Sequence, residues 1–242
     1  MLRSLKFYVK GLGSLVLLIP KLNKAKKMQK TKDQSFSNKY VQKIVQQWAA
    51  NRIKDSGAKI FVHGRENIPA NCNMLFIGNH QSNFDFALLL AELNVPVGFI
   101  AKVELMKIPL IRDWMNLIHC LFMDRSDMKQ QLKTIIEGID LLKNGYNLIV
   151  FPEGTRSKDG KVAEFKAGTF KLATKSKVPI VPFTISGAAD VLENNSHHRI
   201  APADVHLYIH KPIDVTSLDK EELAKIHEKV QSVVEKPLRG SV

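Results

Sequence analysis

His80 and Asp85 are the residues in this chain best suited to moving a proton. They stand in Asn79-His80-Gln81-Ser82-Asn83-Phe84-Asp85, after the apolar run Met74-Leu75-Phe76-Ile77-Gly78 and before a second apolar run from Phe86 to Leu90. A neutral imidazole takes a proton near pH 7, and a carboxylate can orient it and stabilise its charged form. The first run reads as a buried strand and the second as a helix. The pair therefore falls at the carboxyl end of a strand, where open α/β folds place their chemistry. Residues five apart lie about 140° round an ideal helix, so the two cannot share one helical face. They can meet if His80 lies in the turn and Asp85 in the first turn of the helix, where the positive end of the helix dipole favours a carboxylate. Free backbone N–H groups at the same helix start would suit an oxyanion. Alone, the spacing is weak evidence, because many such pairs are a surface histidine beside a helix cap.

A second motif, Phe151-Pro152-Glu153-Gly154-Thr155-Arg156-Ser157, follows the strand-like run Leu148 to Phe151. Gly154 lets a ligand approach the backbone closely. Thr155 offers a hydroxyl and Arg156 a planar fork of donors, both suited to a phosphate. The alternative is a polar β-turn with a solvated arginine. The glycine and lysine spacing of a Walker loop is absent. Lys102 and Glu104 follow the run Val97–Ala101, and Asp124-Arg125 follows Leu121-Phe122-Met123. Each can be an ordinary surface charge, but in a parallel sheet Lys102, Arg125 and Arg156 would converge on one rim.

The elements that must position these residues alternate. Strands are expected at Ile60–Val62 (an edge strand), Met74–Gly78, Val97–Ala101, Cys120–Met123, Leu148–Phe151, Ile180–Ile185 and Val205–Ile209. Helices are expected at Phe84–Leu93, Pro109–Ile118, Phe170–Thr174 and Glu221–Val234. Another helix carries Met128, Leu132, Ile135, Ile136, Ile139 and Leu142 on one face, with Ser126 as its cap and Gly145 as its stop. This is an α/β chain with a mostly parallel central sheet flanked by helices, spanning residues 58–242. His206 and His210 fall on the exposed side of their strand. No Gly-x-Ser-x-Gly elbow supplies a hydrolase nucleophile. Cys72 and Cys120 make neither a disulfide framework nor a metal spacing and read as buried free thiols.

Residues 1–57 have a different character. The whole chain carries a net charge of +13, and residues 1–60 hold 14 Lys/Arg against 2 Asp/Glu, so +12 of it lies there. Gly11 to Ile19 is an apolar run ended by Pro20, long enough for about half a bilayer core. The lysines that follow it, and the lack of a small-residue cleavage site, do not suit a signal peptide. From Ser37 to Ile53 a second helix aligns Tyr40, Val41, Ile44, Val45, Trp48 and Ala49, with Lys39, Lys43, Gln46, Gln47 and Arg52 opposite. That pattern describes an amphipathic interfacial helix, so residues 1–57 are expected to anchor the chain to a membrane. The alternative packs the stripe on the body. Nucleic acid is disfavoured by the hydrophobic run between the basic residues.

The order of the motifs resembles the glycerolipid acyltransferase family over about residues 58–190. It runs from Asn79–Asp85 through Ala101-Lys102-x-Glu104-Leu105 with Pro109, Phe122-Met123-Asp124-Arg125 and Phe151–Ser157 to Val178-Pro179-Ile180-Val181-Pro182-Phe183. Bacterial 1-acyl-sn-glycerol-3-phosphate acyltransferases are the nearest likeness. The resemblance implies His80 as general base for the glycerol hydroxyl, with Asp85 orienting it and no covalent acyl-enzyme. It implies Glu153, Gly154, Thr155 and Arg156 as phosphate-binding residues with Lys102 and Arg125 as helpers. Asn79, Ser82 and Pro152 support the motifs, and Val178–Phe183 serves the core or an acyl-chain wall. The implied reaction moves a fatty acyl group from acyl-CoA or acyl-carrier protein to the sn-2 hydroxyl of lysophosphatidic acid, giving phosphatidic acid, without metal or other cofactor. The implied place is the cytoplasmic face of the cell membrane. The alternatives are the same chemistry on glycerol 3-phosphate or another lysophospholipid, and a non-catalytic membrane lipid-binding protein.

Overall fold

The computed structural model describes residues 2–30, 34–157 and 161–239. Three helices come first: α1 (Leu2–Leu17), α2 (Ile19–Gln29) and α3 (Gln34–Ser56). The α/β body follows in the order β1 (Lys59–His63), β2 (Leu75–Gly78), α4 (Asp85–Glu92), β3 (Gly98–Lys102), α5 (Pro109–Leu117), β4 (Leu121–Met123) and α6 (Met128–Lys143). It continues with β5 (Leu148–Val150), α7 (Lys171–Ser176), β6 (Ile180–Ser186), α8 (Ala188–Val191), β7 (Asp204–Ile209), α9 (Lys220–Ala224) and α10 (Ile226–Glu235).

The seven strands form one sheet in the order β1-β7-β6-β2-β5-β3-β4, and every neighbouring pair is parallel except β6 with β7. Wholly apolar runs such as Leu75-Phe76-Ile77 suit a central strand covered on both faces. Residues on alternate sides feed two cores, with Phe76, Phe99, Ile149 and Phe183 in one and Leu75, Ile77, Leu148 and Ile180 in the other. The chain passes from β5 to β6 across β2, so β2 lies at a topological switch point, where open sheets leave a crevice at the strand ends.

Several expectations need correcting. The stripe on α3 does not face outward: Val41, Ile44, Val45 and Ala49 are buried against α2, α4 and α5. Arg52, expected on the polar side, is buried, donating to Asp55 and to the Phe7 carbonyl. Of the six residues expected on the inner face of α6, Ile135, Ile139 and Leu142 pack inward, while Met128, Leu132 and Ile136 are exposed. The cap of α6 is Asp127, whose carboxylate accepts from the Lys129 and Gln130 N–H groups. The last helix starts earlier, at an Asp219/Glu222 capping box, and is divided at Lys225, whose backbone leaves the helical region at φ −102°, ψ 10°. Cys72 is exposed, whereas burial pushes the Cys120 thiol up to about 12. His206 is half-buried and stacks on Phe61 and Tyr208. His210 is half-buried and pairs with Thr184.

Candidate active site

Pairing register brings the two motifs together. Ile77 of β2 sits opposite Val150 of β5, so His80 and Glu153 each stand three residues beyond paired positions on adjacent parallel strands. The Asn79 side chain extends this arrangement past the end of β2. Its amide donates to the Ile185 carbonyl at 2.9 Å and accepts from the Ile185 N–H at 2.8 Å, as a peptide group would. The turn is thereby tied to β6 before the chain enters α4.

His80 Nδ1 lies 2.8 Å from Asp85 Oδ2. The same oxygen accepts the Gln81 and Ser82 N–H groups at 2.7 and 3.0 Å, which pulls the chain round it into the first turn of α4. An ionised carboxylate only accepts, so this contact puts the Nδ1 proton on the imidazole and leaves Nε2 as its basic nitrogen. Nε2 has no hydrogen-bond partner among the described residues. The ring stacks on Phe151 at a centroid distance of 4.2 Å and meets the edge of Phe86 at 5.7 Å. Asp85 is fully buried and its Oδ1 has no partner among the described residues. That desolvation holds its carboxyl above the ordinary range, opposed by the bond to His80. Of the N–H groups around this helix start, those from Gln81 to Asp85 are engaged. Besides the two on Asp85, Phe84 donates to Ser82 Oγ, Asp85 to the Ser82 carbonyl and Asn83 to Glu193.

The second motif divides in two. Pro152 and Glu153 are buried; Thr155 and Arg156 are exposed. Glu153, expected at the phosphate, instead braces the turn. Its carboxylate accepts the His80 N–H, the Ala163 N–H and the Ser157 hydroxyl, each within 2.9 Å. A carboxylate so employed is an acceptor with nothing to offer an anion, and burial raises its pKa. Ser157 N–H returns a bond to the His80 carbonyl at 2.6 Å, so the motifs are cross-linked in both directions. Gly154 turns the chain at φ 72°, and a Cβ there would meet Lys166 Nζ at 2.8 Å. Only glycine takes that turn without strain and leaves the lysine room.

Lys102 and Arg125 lie along the same sheet edge but apart from His80. Lys102 pairs with Glu104 at 2.7 Å, at the end of β3. Strands are spaced about 4.8 Å, which puts β3 and β4 roughly 10 and 14 Å from β2. Val178–Phe183 leads into and forms β6, in the core.

A family model described as Acyltransferase matches residues 59–186, more than half of the chain. The chain belongs to the acyltransferase family. A crystal structure of the 1-acyl-sn-glycerophosphate acyltransferase PlsC from Thermotoga maritima superposes on it with a TM-score of 0.85 at 31% identity, covering 99% of this chain and 94% of that one. A chloroplastic 1-acyl-sn-glycerol-3-phosphate acyltransferase of Brassica napus is 34% identical over 74% of this chain and 52% of its own. A 1-acyl-sn-glycerol-3-phosphate acyltransferase of Borreliella burgdorferi is 29% identical over 71% of this chain and 69% of its own. The chain spans about half the length of the plant relatives it matches.

Four residues of this acyltransferase-family site were not singled out from sequence: Phe151 as a ring beneath His80, Ser157, Lys166 beside Gly154, and Glu193. Phe151 and Ser157 stand at the two ends of the second motif, and neither residue type carries a signal of its own. Glu193 stands in Leu192-Glu193-Asn194-Asn195, a polar stretch without periodicity, and only the fold brings it to Asn83 and Arg156.

Proposed function

We propose that this chain transfers a fatty acyl group from an acyl thioester, acyl-CoA or acyl-carrier protein, to the sn-2 hydroxyl of 1-acylglycerol 3-phosphate. The single observation that carries the proposal is the 2.8 Å contact of His80 Nδ1 with the buried Asp85 carboxylate. With Nδ1 held, Nε2 takes the hydroxyl proton as the oxygen attacks the thioester carbonyl. The carbonyl pair moves onto oxygen, then returns as the carbon–sulfur bond breaks. The imidazolium gives its proton to the departing thiolate, so an ester and a free thiol leave and His80 is regenerated. Asp85 stabilises the imidazolium without itself taking the proton.

Arg156 and Thr155, exposed at the end of the second motif, are the groups we assign to the acceptor's phosphate, with the backbone at Gly154 and Lys166 alongside. Lys102 and Arg125 serve charge further along the rim, and Glu153 positions His80. Pro152, Asn79 and Ser82 hold the two turns. An apolar cavity of about 120 Å³, lined by Leu15, Trp48, Leu90, Trp114 and Met115 among others, suits a hydrocarbon chain. Leu90 is one helical turn beyond Phe86, which touches His80.

The membrane contact is assigned to α1. Leu2, Leu5, Val9, Leu12 and Val16 recur at helical spacing, all are more than half exposed, and α1 has no buried residue. Exposed lysines on α2 would meet anionic headgroups on the cytoplasmic face. Among the described residues no helix is long and apolar enough to cross a bilayer, so the contact we propose is a helix lying in the interface.

The test is an assay of the purified chain with lysophosphatidic acid and an acyl thioester, following phosphatidic acid. Formation of phosphatidic acid that is lost in His80→Ala supports the proposal. Turnover on glycerol 3-phosphate but not on its 1-acyl derivative would move the acceptor to the former. No transfer to any acceptor would leave lipid binding without catalysis.

A further inference from the structure

Arg156 is already occupied in this structure. Its Nη1 donates to Glu193 Oε1 at 2.6 Å, and the Asn83 N–H donates to the same oxygen at 2.9 Å. Glu193 follows α8 and belongs to neither motif. Its side chain is 15% exposed, and Oε2 is buried with no partner among the described residues. Tyr8 of α1 is close by: burial raises its phenol pKa, and the Glu193 charge adds to that.

One anionic oxygen therefore sits where a guanidinium and a main-chain N–H converge, three residues beyond His80. Two such donors around one oxygen are what a phosphate oxygen requires. The carboxylate also holds this place imperfectly, since its second oxygen is buried without a bond. A buried carboxylate oxygen without a donor has lost its water and gained nothing in return. An anion that satisfied the same donors and let Glu193 swing out would relieve that cost.

We propose that Glu193 is an internal competitor for the acceptor's phosphate, holding Arg156 and the Asn83 N–H until a phosphate monoester displaces it. The inference rests on the reading of Arg156 as a phosphate-binding residue. It adds a selection rule. A monoester carries about −1.5 to −2 charges near pH 7 and outbids a single carboxylate for a guanidinium. An uncharged acylglycerol has nothing with which to displace Glu193, and a singly charged phosphodiester only matches the charge of the carboxylate it would have to replace. Glu193 is thus a specificity residue that acts by penalising the wrong acceptors.

The experiment compares wild-type protein, Glu193→Gln and Arg156→Ala. It measures KM and kcat for lysophosphatidic acid, the Ki of inorganic phosphate, and the thermal shift caused by inorganic phosphate. Glutamine can still accept from Asn83 but carries no charge for Arg156. Its expected result is a fall of about three- to tenfold in KM and in phosphate Ki, with kcat moving less, and a smaller preference for lysophosphatidic acid over monoacylglycerol. Should Glu193→Gln fail to fold, Glu193→Asp withdraws the carboxylate by one methylene and is expected to shift phosphate binding in the same direction. Unchanged or weaker phosphate binding in the folded variant overturns the role of Glu193. If Arg156→Ala leaves KM and phosphate Ki unaltered, the assignment of Arg156 itself falls, and the inference falls with it. If Arg156→Ala raises both while Glu193→Gln does not lower them, only the inference fails.

Discussion

The turn Asn79–Asp85 and helix α1 are opposites. In the turn the polar side chains of Asn79, Ser82 and Asp85 have no exposed surface, and backbone N–H groups converge on one carboxylate oxygen. On α1 the large side chains are apolar and exposed, and nothing is buried. A preorganised site requires fixed donors and acceptors, because reorganising them during the reaction raises the barrier. A lipid contact requires apolar area left open until the second phase arrives. On the proposed reading, one chain would meet both needs by keeping them on separate elements. Changes in the turn should therefore abolish turnover and spare membrane binding, and changes on α1 should do the reverse.

His80→Ala is the strongest way to break this separation. Acyl transfer is expected to fall about 10²- to 10⁴-fold, the usual worth of a positioned general base, with vesicle co-sedimentation unchanged. Loss of vesicle binding in that variant would show that the two regions are coupled.

Asp85→Asn is expected to lower turnover by about 10²-fold, since the imidazolium loses its counter-charge. It also separates function from stability. Burial raises the Asp85 pKa above its unfolded value, so its favourable contribution to folding is complete below the unfolded pKa. That contribution is lost as pH rises through the higher folded value. The ionised carboxylate thus costs stability at neutral pH. In thermal melts the asparagine variant should equal or exceed the parent at pH 7 and lose that edge in acid. Because catalysis needs the ionised form, the acid limb of the parent's kcat/KM profile should lie above the ordinary aspartate range; a limb within that range would contradict this account.

Arg156→Ala should raise the acceptor KM by roughly 10- to 100-fold, the worth of a charge-assisted hydrogen bond, and change the acyl-donor KM little. Steady-state kinetics with each substrate varied in turn would check this. Leu12→Ser on α1 has the smallest expected effect, about a tenfold loss of partition onto anionic vesicles per leucine removed from the interface. Its turnover on a short-chain, water-soluble acceptor should match the parent. A variant equally impaired on soluble substrate would place α1 in the catalytic architecture.

The body of the fold was readable because its strands are short, apolar and separated by clear helical patterns. The motifs at their ends could be matched in order. Readings that depended on which side of a helix faces what were less secure. On α1 and α3 the stripes look alike in sequence, with basic residues opposite apolar ones. What separates them is that the α3 stripe meets complementary apolar surface on α4 and α5, including Leu90, Trp114 and Leu117, whereas α1 packs on α3 with another side and leaves Leu2, Leu5, Val9, Leu12 and Val16 exposed. Such complementarity is long-range and leaves no trace in a helical period. The same applies to Glu153, whose type alone did not disclose that three donors already claim it, and to Glu193, which the chain brings back from 110 residues beyond Asn83.

The place of β2 in the sheet has a consequence for synthesis. Leu75 must pair with Leu148 on one side and Ile180 on the other. At about 5–20 residues per second, a ribosome finishes β6 on the order of 5–20 s after β2 has been made. Until then the nascent chain carries an unpaired apolar strand and no crevice. Helix α1 precedes the whole of the body in the chain and so leaves the tunnel before it. If α1 is the lipid contact proposed above, it can reach its surface before the crevice exists, and the site would then be completed in place.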